Sequence, residues 1–208
     1  MPTSHVLDER QLETFGKSLH ESADDTSRAL SGWIGRPSKV NFDSVEQLPL
    51  DEATGVLRSG EEPICFCVSD MHGRLTGHVI LAFSDTSGFA LADLLLDQPP
   101  GTTSEWGELE TSAALETANI LGCAYLNTLL RALPEVDGSP DELLPSPPRF
   151  GRDFAESLIQ FALMDQVGAD PTVVLAHVKF EIDGEPVDWT LLFVPDAASM
   201  EALCRSLK

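Results

Sequence analysis

Four polar side chains recur at helical spacing along one otherwise apolar run, and they are the first residues in this chain that could do chemistry. Residues 104–133 contain Ser112, Glu116, Asn119 and Cys123, spaced i, i+4, i+7 and i+11. At about 100° per residue the four fall within one narrow stripe of a helix. Between Glu110 and Arg131 the one ionisable carboxylate is Glu116, and the rest of the run is apolar nearly all round, as in a mostly buried helix. A carboxylate and a carboxamide lose solvation if covered, so their lowest-energy position is a stripe open to water or to a partner. A polar edge that keeps the helix wetted and a binding or catalytic stripe both fit. The E-x-x-N spacing does not separate them.

Other candidates are weaker. Asp70, His72, His78 and His177 fall in or beside strand-like hairpins and lack the close pairing of common zinc sites, so no metal site is expected. No G-x-S-x-G, Walker or G-x-G-x-x-G motif occurs. Cys123 has no histidine with it on its helix, so packing suits it better than a nucleophilic role. Trp33, Trp106 and Trp189 stand apart, as core or cap residues would. Cys65, Cys67, Cys123 and Cys204 form no C-x-x-C pair, and buried free thiols are expected.

The elements that must position the stripe come as two copies of one pattern. Residues 62–69 and 172–180 read as strands, followed by Gly-containing turns at 70–73 and 182–185 and by second strands at 78–83 and 189–194. Short helices follow at 88–96 and 198–207. An offset of 110 places Ile64 on Val174 and Phe83 on Phe193. An apolar helix precedes each unit, at about 9–34 and 104–133, and the helix ends align at an offset of 99, the difference being absorbed by a longer Pro-rich loop at 138–148. Thr102 and Glu105 suggest a capping box for the second long helix, and a further helix is expected at about 153–167. A lone hairpin with one helix is unstable. The two halves, about 9–100 and 104–208, should therefore form a single α+β domain over 1–208, with one mainly antiparallel sheet and the two long helices on one face. The first ten residues and the Pro-rich loop are the segments expected to be mobile.

Composition narrows the function classes. The chain has 34 acidic and 13 basic residues, a net charge of −21, the wrong sign for neutralising nucleic-acid phosphates or for binding an anionic membrane. Such acidity suits solubility, life at high salt or steering of a basic partner. No run of eighteen apolar residues and no signal-peptide pattern occurs, so a cytoplasmic protein without membrane insertion is expected.

Ser112-x-x-x-Glu116-x-x-Asn119, continued by Ile-Leu-Gly-Cys-Ala-Tyr-Leu-Asn-Thr-Leu and a later Pro145, resembles the signature of the CheC, CheX and FliY chemotaxis phosphatases. The likeness extends over nearly the whole chain, through Ala29–Gly35 with Leu48-Pro49-Leu50, Leu144–Pro148 and Phe193-Val194-Pro195-Asp196. Two departures stand out. The 25 residues between Asn119 and Pro145 are about three more than the family pattern has. At the offset of 99, Lys17 and His20 stand where Glu116 and Asn119 would be repeated, so the first copy of the site is degenerate.

The resemblance implies dephosphorylation of the aspartyl-phosphate of a CheY-type response regulator, with Glu116 and Asn119 as the catalytic pair and Ser112 in support. Hydrolysis of that bond needs a water held in line and charge stabilisation on the phosphoryl oxygens. An Asn carboxamide both donates and accepts, so Asn119 suits fixing the water, whereas Glu116 suits meeting a cation of the partner. No cofactor of the chain's own is implied, the Mg²⁺ belonging to the regulator. The alternative is a non-catalytic adaptor that binds a receiver domain, a CheD-like deamidase or a second copy of itself.

Overall fold

The structure is a computed structural model, and it describes residues 7–49, 52, 62–133, 142–155, 157–158, 172–182 and 185–206. The first long helix, α1 (Glu9–Ile34), has reciprocal closure at its start. Gln11 N–H donates to Asp8 Oδ1 at 2.8 Å, and Asp8 N–H donates to Gln11 Oε1 at 3.0 Å. It stops at Gly35, in the left-handed region at φ 73°, whose N–H reaches Ser31 O. Of the segment expected to be mobile, residues 7–10 are anchored, and residues 1–6 lie outside the described residues. Leu7 is buried, and its N–H donates to Gln47 Oε1 at 2.8 Å.

Beyond α1 the chain forms β1 (Ser38–Pro49), β2 (Ile64–Gly73), β3 (Gly77–Phe83), α2 (Asp85–Leu95), α3 (Glu108–Ala132), β4 (Leu143–Pro145), β5 (Arg149–Asp153), β6 (Thr172–Ile182), β7 (Glu185–Pro195) and α4 (Ala197–Ser206). The sheet runs β1-β6-β7-β3-β2-β4, with β5 also paired to β2, and every pairing is antiparallel. Each half lends its first strand to the other: β1 lies on β6, and β4 and β5 lie on β2. The halves meet at β3 and β7, where Leu81 faces Leu191. These two residues are also 110 apart in sequence, so the repeat interval identifies the pseudo-symmetric centre of the sheet.

Central strands are apolar on both sides. On β3, Val79, Leu81 and Phe83 join the core beneath the helices, while Ile80 and Ala82 join a second cluster on the opposite face. The four helices named above all contribute to the first core, with Leu30, Leu91, Leu126 and Leu203 among its members. This is the expected α+β arrangement, with one addition. The opposite face holds its own apolar cluster, into which Ala155 and Leu158 are packed.

Several boundaries differ from the sequence reading. Residues 70–73 continue β2 rather than turning, because Met71, His72 and Gly73 pair with β4. The reversal lies at 74–76, and Gly77, at φ 130°, passes so close to Val194 O that a Cβ there would overlap it. The second long helix starts at Glu108 rather than near Thr102, and Glu110 Oε2 accepts from Gly107 N–H at 3.1 Å. Thr102 serves a different contact: its N–H and those of Gly101 and Thr103 donate to buried Asp93. The latter part of the Pro-rich loop is pinned, with Ser146 N–H donating to Asp70 O at 2.7 Å. Asp153 ends β5, so the helix expected from it begins later, with Ala155 its first described helical residue. Residues 159–167 of that expectation, 138–141 of the loop and 183–184 of the second turn lie outside the described residues.

Candidate functional site on the third helix

The inward side of α3 is set by Ala114, Ala118, Leu121, Tyr125, Leu126 and Leu129, all buried. Burying that face leaves the 112–116–119–123 stripe at the surface edge. Ser112 and Glu116 are exposed, whereas Asn119 and Cys123 are half-buried. The structure thus brings the predicted residues together on one face, graded from solvent-facing to half-covered. Glu116 forms no ion pair with any described residue. Cys123 Sγ lies 3.9 Å from Asn119 Oδ1.

Three contacts hold the helix in place. Trp33 of α1 donates its indole N–H to Thr117 Oγ1 at 3.0 Å, and Arg131 approaches Asp25 at 3.5 Å, which fixes α1 antiparallel to α3. Pro145, placed by the β2–β4 ladder, sits 3.9 Å from where a Cβ on Gly122 would be. The longer connection between α3 and β4 therefore still delivers its proline beside the Asn119 turn. Just before α3, Trp106 nests among Phe83, Phe89 and Phe150, with ring centroids 5.8, 5.2 and 4.9 Å away. Its N–H donates to Asp85 Oδ1 at 2.8 Å.

Sequence reasoning missed that last set. Asp85, at the start of α2, also accepts from Arg152 of β5 at 2.7 Å and from the Cys65 thiol at 3.1 Å. The Arg152 bond, helped by Trp106 and Cys65, lowers the Asp85 carboxyl to about 2. No short motif marks these positions, since their partners lie 20, 21 and 67 residues away.

In the first half, Lys17 and His20 line a cleft of 480 Å³ between α1 and β1, with Leu12, Gly16 and Val45. Lys17 is paired with Glu13 at 2.8 Å. Among the described residues Glu116 of α3 has no ion pair, whereas Lys17 of α1 is paired within its own helix, so the two positions differ in electrostatic character.

Thiol chemistry is disfavoured throughout. Burial first, and the Glu116 charge second, push the Cys123 thiol upward, away from a nucleophilic thiolate. Burial raises Cys67 to about 12 and also drives Cys65 upward. Among the described residues no three His, Cys, Asp or Glu side chains gather to hold a metal. Asp70 and His78 do meet at 3.1 Å, but Arg149 shares the same carboxylate oxygen at 3.3 Å, giving a cross-strand polar network. No described helix is long and apolar enough to cross a membrane.

No protein-family model and no curated protein matches the chain by sequence. Solved structures do match it. FliY of Thermotoga maritima superposes with a TM-score of 0.74 at 18% identity, covering 97% of this chain and 98% of that one. FliM of H. pylori, from a complex with SpeE, gives 0.65 at 18% identity over 97% and 96%. CheX of Desulfovibrio desulfuricans gives 0.51 at 11% over 88% and 99%. The chain has the FliY/CheX fold. At these identities the likeness is one of fold, and it agrees with the resemblance carried by the Ser112–Glu116–Asn119 spacing. Within the FliY/CheX fold, the stripe lies on the long helix of the second half, and Lys17 and His20 lie on that of the first.

Proposed function

We propose that this protein accelerates hydrolysis of the aspartyl-phosphate of a CheY-type receiver domain through a single site on α3. The observation that carries this reading is the pairing of an exposed Glu116, free of ion pairs among the described residues, with a half-buried Asn119 one turn away. Among the described residues Glu116 has no ion pair and Asn119 is hydrogen-bonded only by Cys123 of its own helix, and both lie on one stripe of α3. An exposed carboxylate attracts a cation of the partner and sets its approach, worth more as docking geometry than as raw affinity. Asn119 then holds a water in line with the Asp–O–P bond. Water oxygen attacks phosphorus, the Asp–O–P bond breaks, the partner's carboxylate leaves, and inorganic phosphate forms. Mg²⁺ held by the receiver neutralises the phosphoryl oxygens, so this chain supplies no metal. Ser112, exposed one turn before Glu116, lengthens the polar contact.

A second reading is an adaptor that binds a receiver domain, or a CheD-like deamidase, without useful turnover. Two observations favour it: the Lys17–Glu13 pair in the first-half position, and structural neighbours of FliM type solved as complexes with FliG and with SpeE. Decay of a phosphorylated CheY-type regulator with Mg²⁺, followed with and without this protein, separates the two. Faster decay supports the phosphatase. Binding with unchanged decay, across several receiver domains, supports the adaptor and overturns the first reading.

A further inference from the structure

One turn beyond Asn119 on α3, Cys123 is half-buried and directs its thiol at the Asn119 side chain, with Sγ 3.9 Å from Oδ1. Among the described residues this is the one hydrogen-bond contact of the Asn119 carboxamide, so its two Nδ2 hydrogens are unengaged. We infer that Cys123 is a positioning residue: its S–H holds Oδ1 of Asn119 and turns the NH2 group outward, toward the water or phosphoryl group of the bound partner. The inference rests on the phosphatase reading of α3 given above.

The chemistry is consistent in each part. A carboxamide free to turn over presents its oxygen outward for part of the time, and that oxygen repels a phosphoryl oxygen. A donor behind it removes the unproductive orientation. The donor must stay protonated, because a thiolate would repel Oδ1. Burial, and then the Glu116 carboxylate on the same stripe, hold the Cys123 proton in place. An S–H donor is weak, so the effect on rate is modest, about two- to fivefold.

Cys123→Val removes the donor at nearly constant volume, and Cys123→Ser restores one. In the full chain, Val should lower the maximal rate of phosphorylated-receiver decay about two- to fivefold, with the half-saturating concentration unchanged. Ser should retain the wild-type rate. A second readout is independent of activity. The side-chain amide NMR signals of Asn41, Asn119 and Asn127, assigned by losing one in Asn119→Ala, should show the Asn119 pair shifted in Val and returned in Ser. A Val variant with wild-type rate and an unmoved Asn119 amide signal overturns the inference. If the wild type accelerates no decay, the phosphatase reading fails, and the amide signals still decide whether Cys123 holds Asn119.

Discussion

The indole of Trp106 occupies the space beside Gly88 where any larger residue would need its Cβ, with ring carbon Cζ2 2.5 Å from that position. Gly88 lies in the first turn of α2, and Trp106 immediately precedes α3, so this contact sets how the two helices meet. Gly88→Ala gains helix propensity, about 1 kcal/mol, but drives a methyl into a rigid ring system bounded by Phe83. Overpacking of this kind costs about 1–3 kcal/mol and wins. Urea unfolding should show a lower midpoint for this variant.

Gly32 gives the opposite sign. It lies within α1, is exposed, and a Cβ there meets nothing within 4 Å. Gly32→Ala should raise stability by about 0.5–1 kcal/mol, read as a higher urea midpoint with unchanged slope. It should leave receiver binding untouched.

Asp85 makes part of the stability depend on acid. Its carboxyl is held at about 2, chiefly by Arg152, with Trp106 and Cys65 adding to the effect. A lowered folded-state value means the stabilisation is complete above the unfolded value of about 3.9 and is lost as pH falls toward 2. Asp85→Asn should destabilise by about 1–2 kcal/mol at neutral pH by removing the charge that pairs with Arg152 and weakening the bonds to Trp106 and Cys65. That difference from wild type should shrink between pH 4 and pH 2, as measured by urea midpoints across the range. The Arg152 side chain is 47% exposed, so solvent screening discounts its share of the loss.

Thiol reactivity should divide the cysteines in two pairs. Cys65 and Cys67 are 0% and 1% exposed, while Cys123 and Cys204 are half-buried. A chromogenic disulfide reagent at mildly alkaline pH should modify Cys123 and Cys204 in the folded chain, and all four cysteines only after denaturation. Labelling of Cys65 at the native rate of Cys123 would contradict the packing of β2.

The repeated hairpins were legible because β2, β3, β6 and β7 are apolar runs bounded by glycine, and their interval survives in the pairing of Leu81 with Leu191. β1 was not legible. Its apolar residues Val40, Phe42 and Val45 break the two-residue period, and the structure has an irregularity in the register between Phe42 and Ser44. β4 and β5 are too short, and too rich in neighbouring prolines, to stand out from a loop. Asp70-Met71-His72-Gly73 looks like a turn by composition, yet tertiary pairing extends the strand through it, and Asp70 finds His78 and Arg149 as partners. The α3 stripe was legible because a 3.6-residue period survives burial. The half-covered state of Asn119 and its contact with Cys123 depend on rotamers, which spacing does not encode.

In the proposed phosphatase Asn119 acts in hydrolysis and not in folding or docking. The direct measurement is decay of a phosphorylated CheY-type receiver with Mg²⁺, comparing wild type with Asn119→Ala at matched, saturating concentrations. As a half-buried surface residue, Asn119 should cost about 0.5 kcal/mol of stability or less when truncated. Accelerated decay with wild type that disappears in a folded, receiver-binding Asn119→Ala is the predicted result. Equal acceleration by both proteins, or none by either, would rule out a hydrolytic role for Asn119.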